Sequence, residues 1–232
     1  MNTSNSSCDI NANKSSCCCA SESKTETIDL KSHWNKAYSN NPENKLGWFE
    51  TDLSPMFQLI LKSEIQKNAS IINIGAGSTT LADELISQGF TNIIATDISD
   101  VALQNLSKRV DSSYLKTIAD DLTNPSELLK IEKVDLWIDR AVLHFFIEEK
   151  DQETYFNLLK EKVNLNGFVI LAEFNLQGAT KCSGLTVKRY NAEMFQEKLG
   201  ADFKLIESFD YTYSMPSGDE REYVYSLFQK TK

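Results

Sequence analysis

The stretch that decides the fold is Ser70-Ile71-Ile72-Asn73-Ile74-Gly75-Ala76-Gly77, answered twenty residues beyond Gly77 by Asp97. Ser70 to Ile74 is a short, apolar, β-branched run, which suits a parallel strand covered on both faces. It ends in Gly75 and Gly77, where the backbone can take angles closed to other residues and approach a ligand closely. Asp97 closes the next strand-like run, Thr91 to Thr96. A carboxylate at that point can accept hydrogen bonds from both hydroxyls of a ribose. Taken singly, the glycines also read as a plain strand-to-helix turn and Asp97 as an exposed helix cap. Their pairing is what points to a nucleoside site.

Outward from this stretch the chain alternates between strand and helix patterns. Upstream, Ser54-Pro55 reads as a helix start with Ser54 as N-cap and Pro55 in the first helical position, followed by Met56, Leu59 and Ile60 on one face. Downstream, Leu81, Leu85 and Ile86 form a stripe that Gly89 can stop, and Leu103, Leu106 and Val110 form another. Tyr114 to Ala119 and Val134 to Ile138 read as strands, Tyr155, Leu159 and Val163 as a helix, and Phe168 to Phe174 as the most apolar strand. Asn191 can cap a helix carrying Met194, Phe195 and Leu199 that ends at Gly200. Phe203 to Ser208 and Tyr223 to Phe228 flank a Pro-Ser-Gly-Asp turn at 216–219, which predicts an antiparallel hairpin at the sheet edge. The fold class predicted is α/β: a doubly wound, mostly parallel seven-stranded sheet with an antiparallel terminal hairpin. The domain is expected over 28–232. Residues 1–27, rich in Ser, Asn and Thr, are expected to form a disordered tail.

Composition narrows the partners. Asp and Glu number 33 against 24 Lys and Arg, and the net charge of -9 repels nucleic-acid phosphates, so no nucleic-acid partner is expected. Apolar runs such as Phe168 to Ala172 fall far short of the ~20 residues that cross a bilayer, so no membrane partner is expected. The N-terminus lacks the apolar core of a secretory signal, and a cytoplasmic location follows as the expectation. In a reducing compartment Cys17, Cys18 and Cys19 are free thiols or soft-metal ligands rather than disulfides.

A third acidic feature, Asp120-Asp121, follows the third strand, at the next position along the carboxyl edge where open α/β sheets bind ligands. The rival ligand is a nicotinamide dinucleotide, but the third glycine of that fingerprint is missing, with Thr80 in its place. Gly75-Ala76-Gly77, Asp97 and Asp120-Asp121 together resemble the successive cofactor motifs of class I S-adenosylmethionine-dependent methyltransferases. The likeness runs from about Trp34 to the C-terminus, with the hairpin resembling their reversed last strand. It implies a Rossmann-like methyltransferase fold with S-adenosyl-L-methionine as cofactor. The loop 75–77 is then set against the methionine moiety, Asp97 with Ile98 against the ribose, and Asp121 or Asp120 with Leu122 against the adenine. The family often has an acidic residue where this chain has Asn73, so contact to the cofactor's amino group falls to the amide or a neighbour. Trp34 and Tyr38, with Trp48 and Phe49, form either a lid over the cofactor or ordinary packing.

Asp139-Arg140-Ala141-Val142-Leu143-His144 follows the fourth strand, where such enzymes face their substrates. This pair and the Trp34 to Trp48 segment resemble small-molecule thiol methyltransferases of the thiopurine type. A similar acidic-basic pair occurs in lysine methyltransferases acting on proteins. Asp139 is expected at the cofactor and the acceptor. His144 is either a general base or a packed core histidine. Arg140 either steadies an anionic acceptor or pairs with Asp139 or another carboxylate. Cys182, after the fifth strand, either holds a thiophilic substrate or fills core space. The leading expectation is methyl transfer to a small soft nucleophile: a thiol, a chalcogen or a metalloid such as arsenite. The alternatives are a protein lysine acceptor, a non-catalytic sensor of the cofactor or a metal, and a nicotinamide oxidoreductase.

Overall fold

A computed structural model describes residues 29–232 except Ser78 and Ser112. The predicted tail at 1–27 and the thiols of Cys17, Cys18 and Cys19 lie outside the described residues.

Five strands, β1 (Ser70–Ile74), β2 (Asn92–Asp97), β3 (Leu115–Ala119), β4 (Val134–Arg140) and β5 (Val163–Phe174), pair in parallel in the order β3-β2-β1-β4-β5. β8 (Phe203–Ser214) and β9 (Glu220–Lys230) complete the seven-stranded sheet; β9 lies antiparallel beside β5, and β8 is outermost. The doubly wound sheet with a terminal antiparallel hairpin is therefore found as predicted. A two-stranded hairpin, β6 (Lys181–Cys182) and β7 (Leu185–Thr186), interrupts the return from β5.

Successive residues of a strand point to opposite faces, and this divides the core into two layers. Ile71 of β1 packs with Met56, Leu59 and Ile60 of α2 (Ser54–Lys62), Leu81 and Leu85 of α3 (Leu81–Ser87), and Leu103 and Leu106 of α4 (Asp100–Arg109). Ile72 and Ile74 face the other way, toward Tyr155 and Leu159 of α5 (Glu149–Lys162) and Phe195 of α6 (Ala192–Leu199). The start and stop of α6 follow the sequence: Asn191 Oδ1 accepts from Met194 N at 3.0 Å, and Gly200 follows in a left-handed conformation.

Several details differ from the expectation, among them Val110, which is the extended C-cap of α4 rather than part of its stripe. Ser54 is the first residue of α2 rather than its cap: Leu53 stands at the N-cap without a side-chain bond, and Asp52 Oδ1 accepts from Ser54 N at 2.9 Å. Val163 leaves the α5 stripe and opens β5, with extended dihedrals of φ -82 and ψ 132. One helix carried no strong sequence signal: α1 (Leu30–Asn40), capped by Asp29, whose Oδ1 accepts from Ser32 N at 3.1 Å. Among the described residues no helix is long and apolar enough to cross a membrane.

Candidate functional site

Strand order reverses between β1 and β4, and a cleft opens at the carboxyl ends of β1, β2 and β4, as the topology requires. It contains about 1100 Å³ of empty space, counting the part open to solvent.

One half is built by the glycine loop. Gly75 and Gly77 sit at φ +55 and +54, in the left-handed region that favours glycine. A Cβ on Gly75 would fall 2.0 Å from Val142 Cγ2, and one on Gly77 would fall 2.3 Å from the Tyr38 hydroxyl. Ala76 is buried behind the wall, its N–H donating to Thr96 O at 2.8 Å. Gly77 N donates to Asp97 Oδ2 at 2.9 Å and Ser99 N to Oδ1 at 2.8 Å. These bonds take one lone pair on each oxygen and leave acceptor capacity for a ligand hydroxyl. Burial pushes the Asp97 carboxyl up to about 6, against the opposing effect of hydrogen bonds from Ser99, Gly77 and Ile98. Asn73 and Ile98 also line the cleft.

At the far end of this half lie Asp120, Asp121 and Leu122. Asp120 braces its own loop, accepting from the backbone amides of Asp121, Ser126 and Leu128 at 3.1, 2.9 and 2.8 Å. Asp121 commits only Oδ1, to the amide and hydroxyl of Thr123 at 2.8 and 2.7 Å. Of the two carboxylates weighed for the adenine, Asp121 is the one with an oxygen to spare among the described residues.

Trp34 and Tyr38 of α1, with Trp48, roof the cleft. Trp48 Nε1 donates to the Tyr38 hydroxyl at 3.0 Å, and Trp34 meets Trp48 and Phe145 edge-on at 5.4 and 5.1 Å. The aromatic segment is thus a roof whose underside forms cleft wall.

The other half centres on Arg140, at the end of β4. Its Nε lies 3.1 Å from Glu50 Oε1 and 3.1 Å from the Tyr225 hydroxyl, and Nη1 donates to Trp48 O at 3.3 Å. The guanidinium stands over the rings of Tyr213 and Tyr223 at 4.8 and 4.9 Å. Its Nη2 is buried and has no hydrogen-bond partner among the described residues. Burial raises the Glu50 carboxyl, and the charge of Arg140 opposes that rise. Of the alternatives weighed for Arg140, the carboxylate partner is thus Glu50, not Asp139. Met56, Phe145 and Cys182 complete this wall. Burial pushes the Cys182 thiol up to about 11, so it is protonated at neutral pH.

His144 and Asp139 do not reach the cleft wall. The imidazole is fully buried, stacked on Phe174 with centroids 4.7 Å apart, and burial pushes it down to about 3. Its Nδ1 approaches Glu173 Oε2 at 2.9 Å, out of line for a hydrogen bond. Asp139 turns inward, where its Oδ2 accepts from the Tyr155 hydroxyl at 2.6 Å and its Oδ1 from Val142 N at 3.2 Å. Of the alternatives weighed for His144, its place in the fold is the packed core one.

Sequence reasoning missed Glu50, Tyr213, Tyr223 and Tyr225. The available signal was the alternation of Tyr211 with Tyr213 and of Tyr223 with Tyr225, each pair set on one face of a strand. Among the described residues no group of three His, Cys, Asp or Glu side chains is placed to hold a metal ion.

No protein-family model matches the chain. An EEF1A lysine methyltransferase 2 from Danio rerio is 28% identical over 184 residues, covering 72% of this chain and 76% of that protein. The Mus musculus protein of the same name is 24% identical over 188 residues, covering 73% and 74%. Among solved structures, a SAM-dependent methyltransferase from Anabaena variabilis superposes with a TM-score of 0.70 at 15% identity, covering 87% of this chain and 93% of that one. The N-methyltransferase NodS from Bradyrhizobium japonicum, in complex with S-adenosyl-L-homocysteine, gives 0.64 at 14% identity, covering 88% and 100%. These likenesses establish the fold: a mostly parallel, Rossmann-like methyltransferase sheet.

Proposed function

We propose that the chain is an S-adenosylmethionine-dependent methyltransferase acting on a small soft nucleophile. The observation that carries this reading is the junction of Gly77 N with Asp97 Oδ2, which welds the glycine loop and the ribose-side carboxylate into one cradle at the switch point of the sheet. The names of the two relatives and of the superposed structures support the methyltransferase part of this reading, not the soft acceptor. In this reading the loop 75–77 and Asn73 take the methionine end, Asp97 and Ile98 the ribose, and Asp121 and Leu122 the adenine. The dinucleotide reading fits less well, because Thr80 stands where a third glycine would be and its hydroxyl is engaged with Glu50 O at 3.0 Å.

The bound cofactor supplies an electrophilic methyl group, and its transfer is an in-line displacement that needs orientation more than acid-base chemistry. The chain's contribution is to aim the acceptor and exclude water. Trp34, Tyr38 and Trp48 roof the cleft. Arg140, with a spare buried N–H, favours an acceptor bearing an anionic or electron-rich atom and would hold a thiolate in its reactive form. Met56 and Phe145 give that end an apolar, polarizable wall suited to a soft atom.

A protein lysine is the second reading, favoured by the names of the two relatives. Arg140 at the acceptor end is paired with Glu50, which also lines the cleft, so its charge does not decide between the two readings, and they separate experimentally. The purified protein is incubated with methyl-labelled S-adenosylmethionine and, in turn, small thiols, arsenite and an EEF1A protein. Label on the thiols or arsenite alone supports the first reading. Label on the protein alone overturns it in favour of the second.

A further inference from the structure

We propose that Glu173, acting with Asp139 from beneath the cleft, is a positioning residue that sets the loop 141–146 against both the glycine loop and the aromatic roof. The inference rests on the methyltransferase reading only for the identity of the ligand; the positioning itself is a property of the chain.

Glu173 lies near the end of β5, fully buried, and no step of the proposed chemistry uses it. Its Oε2 accepts from His144 N at 3.3 Å, while its Oε1 is buried and has no hydrogen-bond partner among the described residues. Asp139, two residues back in the register of the neighbouring strand, adds Oδ1 as acceptor from Val142 N at 3.2 Å. Two backbone N–H groups of the loop, those of Val142 and His144, are therefore held from beneath by two buried carboxyl groups. The held segment follows Ala141, a non-glycine residue at φ 65, in the sparsely populated left-handed region. Strain of this kind persists only where surrounding bonds over-determine it, and the two carboxyl groups supply those bonds.

The loop so held makes two contacts at the cleft. Val142 Cγ2 occupies the space into which a Cβ on Gly75 would project, and Phe145 meets the ring of Trp34 at 5.1 Å. Val142 and Phe145 are cleft wall, whereas Glu173 is not. Glu173 thus acts on the ligand site through the loop without touching a ligand.

The test uses the full chain in three forms: wild type, Glu173→Gln, which keeps a carbonyl acceptor for the His144 amide, and Glu173→Leu, which removes it. Amide hydrogen exchange at Val142, Leu143 and His144 is followed without ligand, and S-adenosylhomocysteine affinity is measured by calorimetry. Glu173→Leu is expected to speed exchange at those three amides at least tenfold while β1 and β2 keep their protection, and to weaken S-adenosylhomocysteine at least tenfold. Glu173→Gln is expected to restore both to within about threefold of wild type. Unchanged exchange at 142–144 in Glu173→Leu would overturn the proposal. If that variant fails to fold, Glu173→Gln decides, and fast exchange at 142–144 in it would overturn the proposal equally. Absence of S-adenosylhomocysteine binding by wild type would count against the cofactor reading, and the exchange result would still judge the loop.

Discussion

The amide of Gly77 and the carboxylate of Asp97, twenty residues apart in the chain, are joined by a 2.9 Å hydrogen bond, and this bond makes one cradle of two strand ends. The carboxylate that a ribose would meet is therefore also the group that shapes the glycine loop. Burial raises Asp97 to about 6. Below that pH its protonated oxygen can no longer accept from both the loop and a hydroxyl. The affinity for S-adenosylmethionine is expected to be flat from pH 7 to 8 and to fall as the pH drops through 6. A calorimetric pH series checks this.

Gly75→Ala tests the cradle sterically. At φ +55 an alanine carries strain of about 1–3 kcal/mol, and its Cβ would lie 2.0 Å from Val142 Cγ2. The expected result is a loss of stability of that order or more in urea denaturation, together with loss of cofactor binding. Adding Val142→Ala removes the clash but not the strain, so the double variant is expected to recover stability only in part.

Arg140 and Glu50 form a largely buried pair at 3.1 Å. Removing one member leaves the other unpaired, which costs about 3–5 kcal/mol in buried pairs, whereas removing both is far milder. Arg140→Met is expected to show a loss in that range, and Arg140→Met with Glu50→Met to recover most of it. Methyl transfer should be lost in both, because neither keeps the guanidinium.

Glu173 gives a stability signature with a definite sign. Burial raises its carboxyl from the ordinary 4.5 to about 8, so the folded chain holds a proton that the unfolded chain releases. Stability then falls as pH rises between those two values. Glu173→Gln has no such proton. Its melting temperature relative to wild type is expected to rise from pH 5 to about pH 8 and to level off above that, and a constant difference across the whole range would contradict the assignment.

Cys182 sits in the cleft wall with its thiol pushed up to about 11 by burial. Only the thiolate is alkylated readily. At pH 7.5 iodoacetamide labelling of the Cys182 peptide, followed by mass spectrometry, is expected to run about a hundredfold slower than that of free cysteine. Fast labelling would revive a thiolate role for this residue.

Much of the fold was legible because its signals are local. Ser70 to Ile74 ending in glycines, Asn191 with Gly200, and the turn at 216–219 each carry their geometry within a few residues. The glycine-loop half of the cleft was legible for the same reason, since Gly75, Gly77, Asp97 and Asp121 sit at successive strand ends. The half around Arg140 was not. Glu50, Tyr213, Tyr223 and Tyr225 meet Arg140 from three distant segments, and only the closed sheet brings them together. His144 shows the complementary limit: its residue type suggested chemistry, but the turn at Ala141 rotates the ring beneath the cleft floor onto Phe174.

The most direct test of the central claim is calorimetric titration of the purified chain with S-adenosylmethionine, with NADH as the control ligand and Asp97→Ala as the control protein. The account predicts micromolar binding of S-adenosylmethionine, lost in Asp97→Ala, and no binding of NADH. Binding of NADH with none of S-adenosylmethionine would contradict it and make the glycine loop a dinucleotide site.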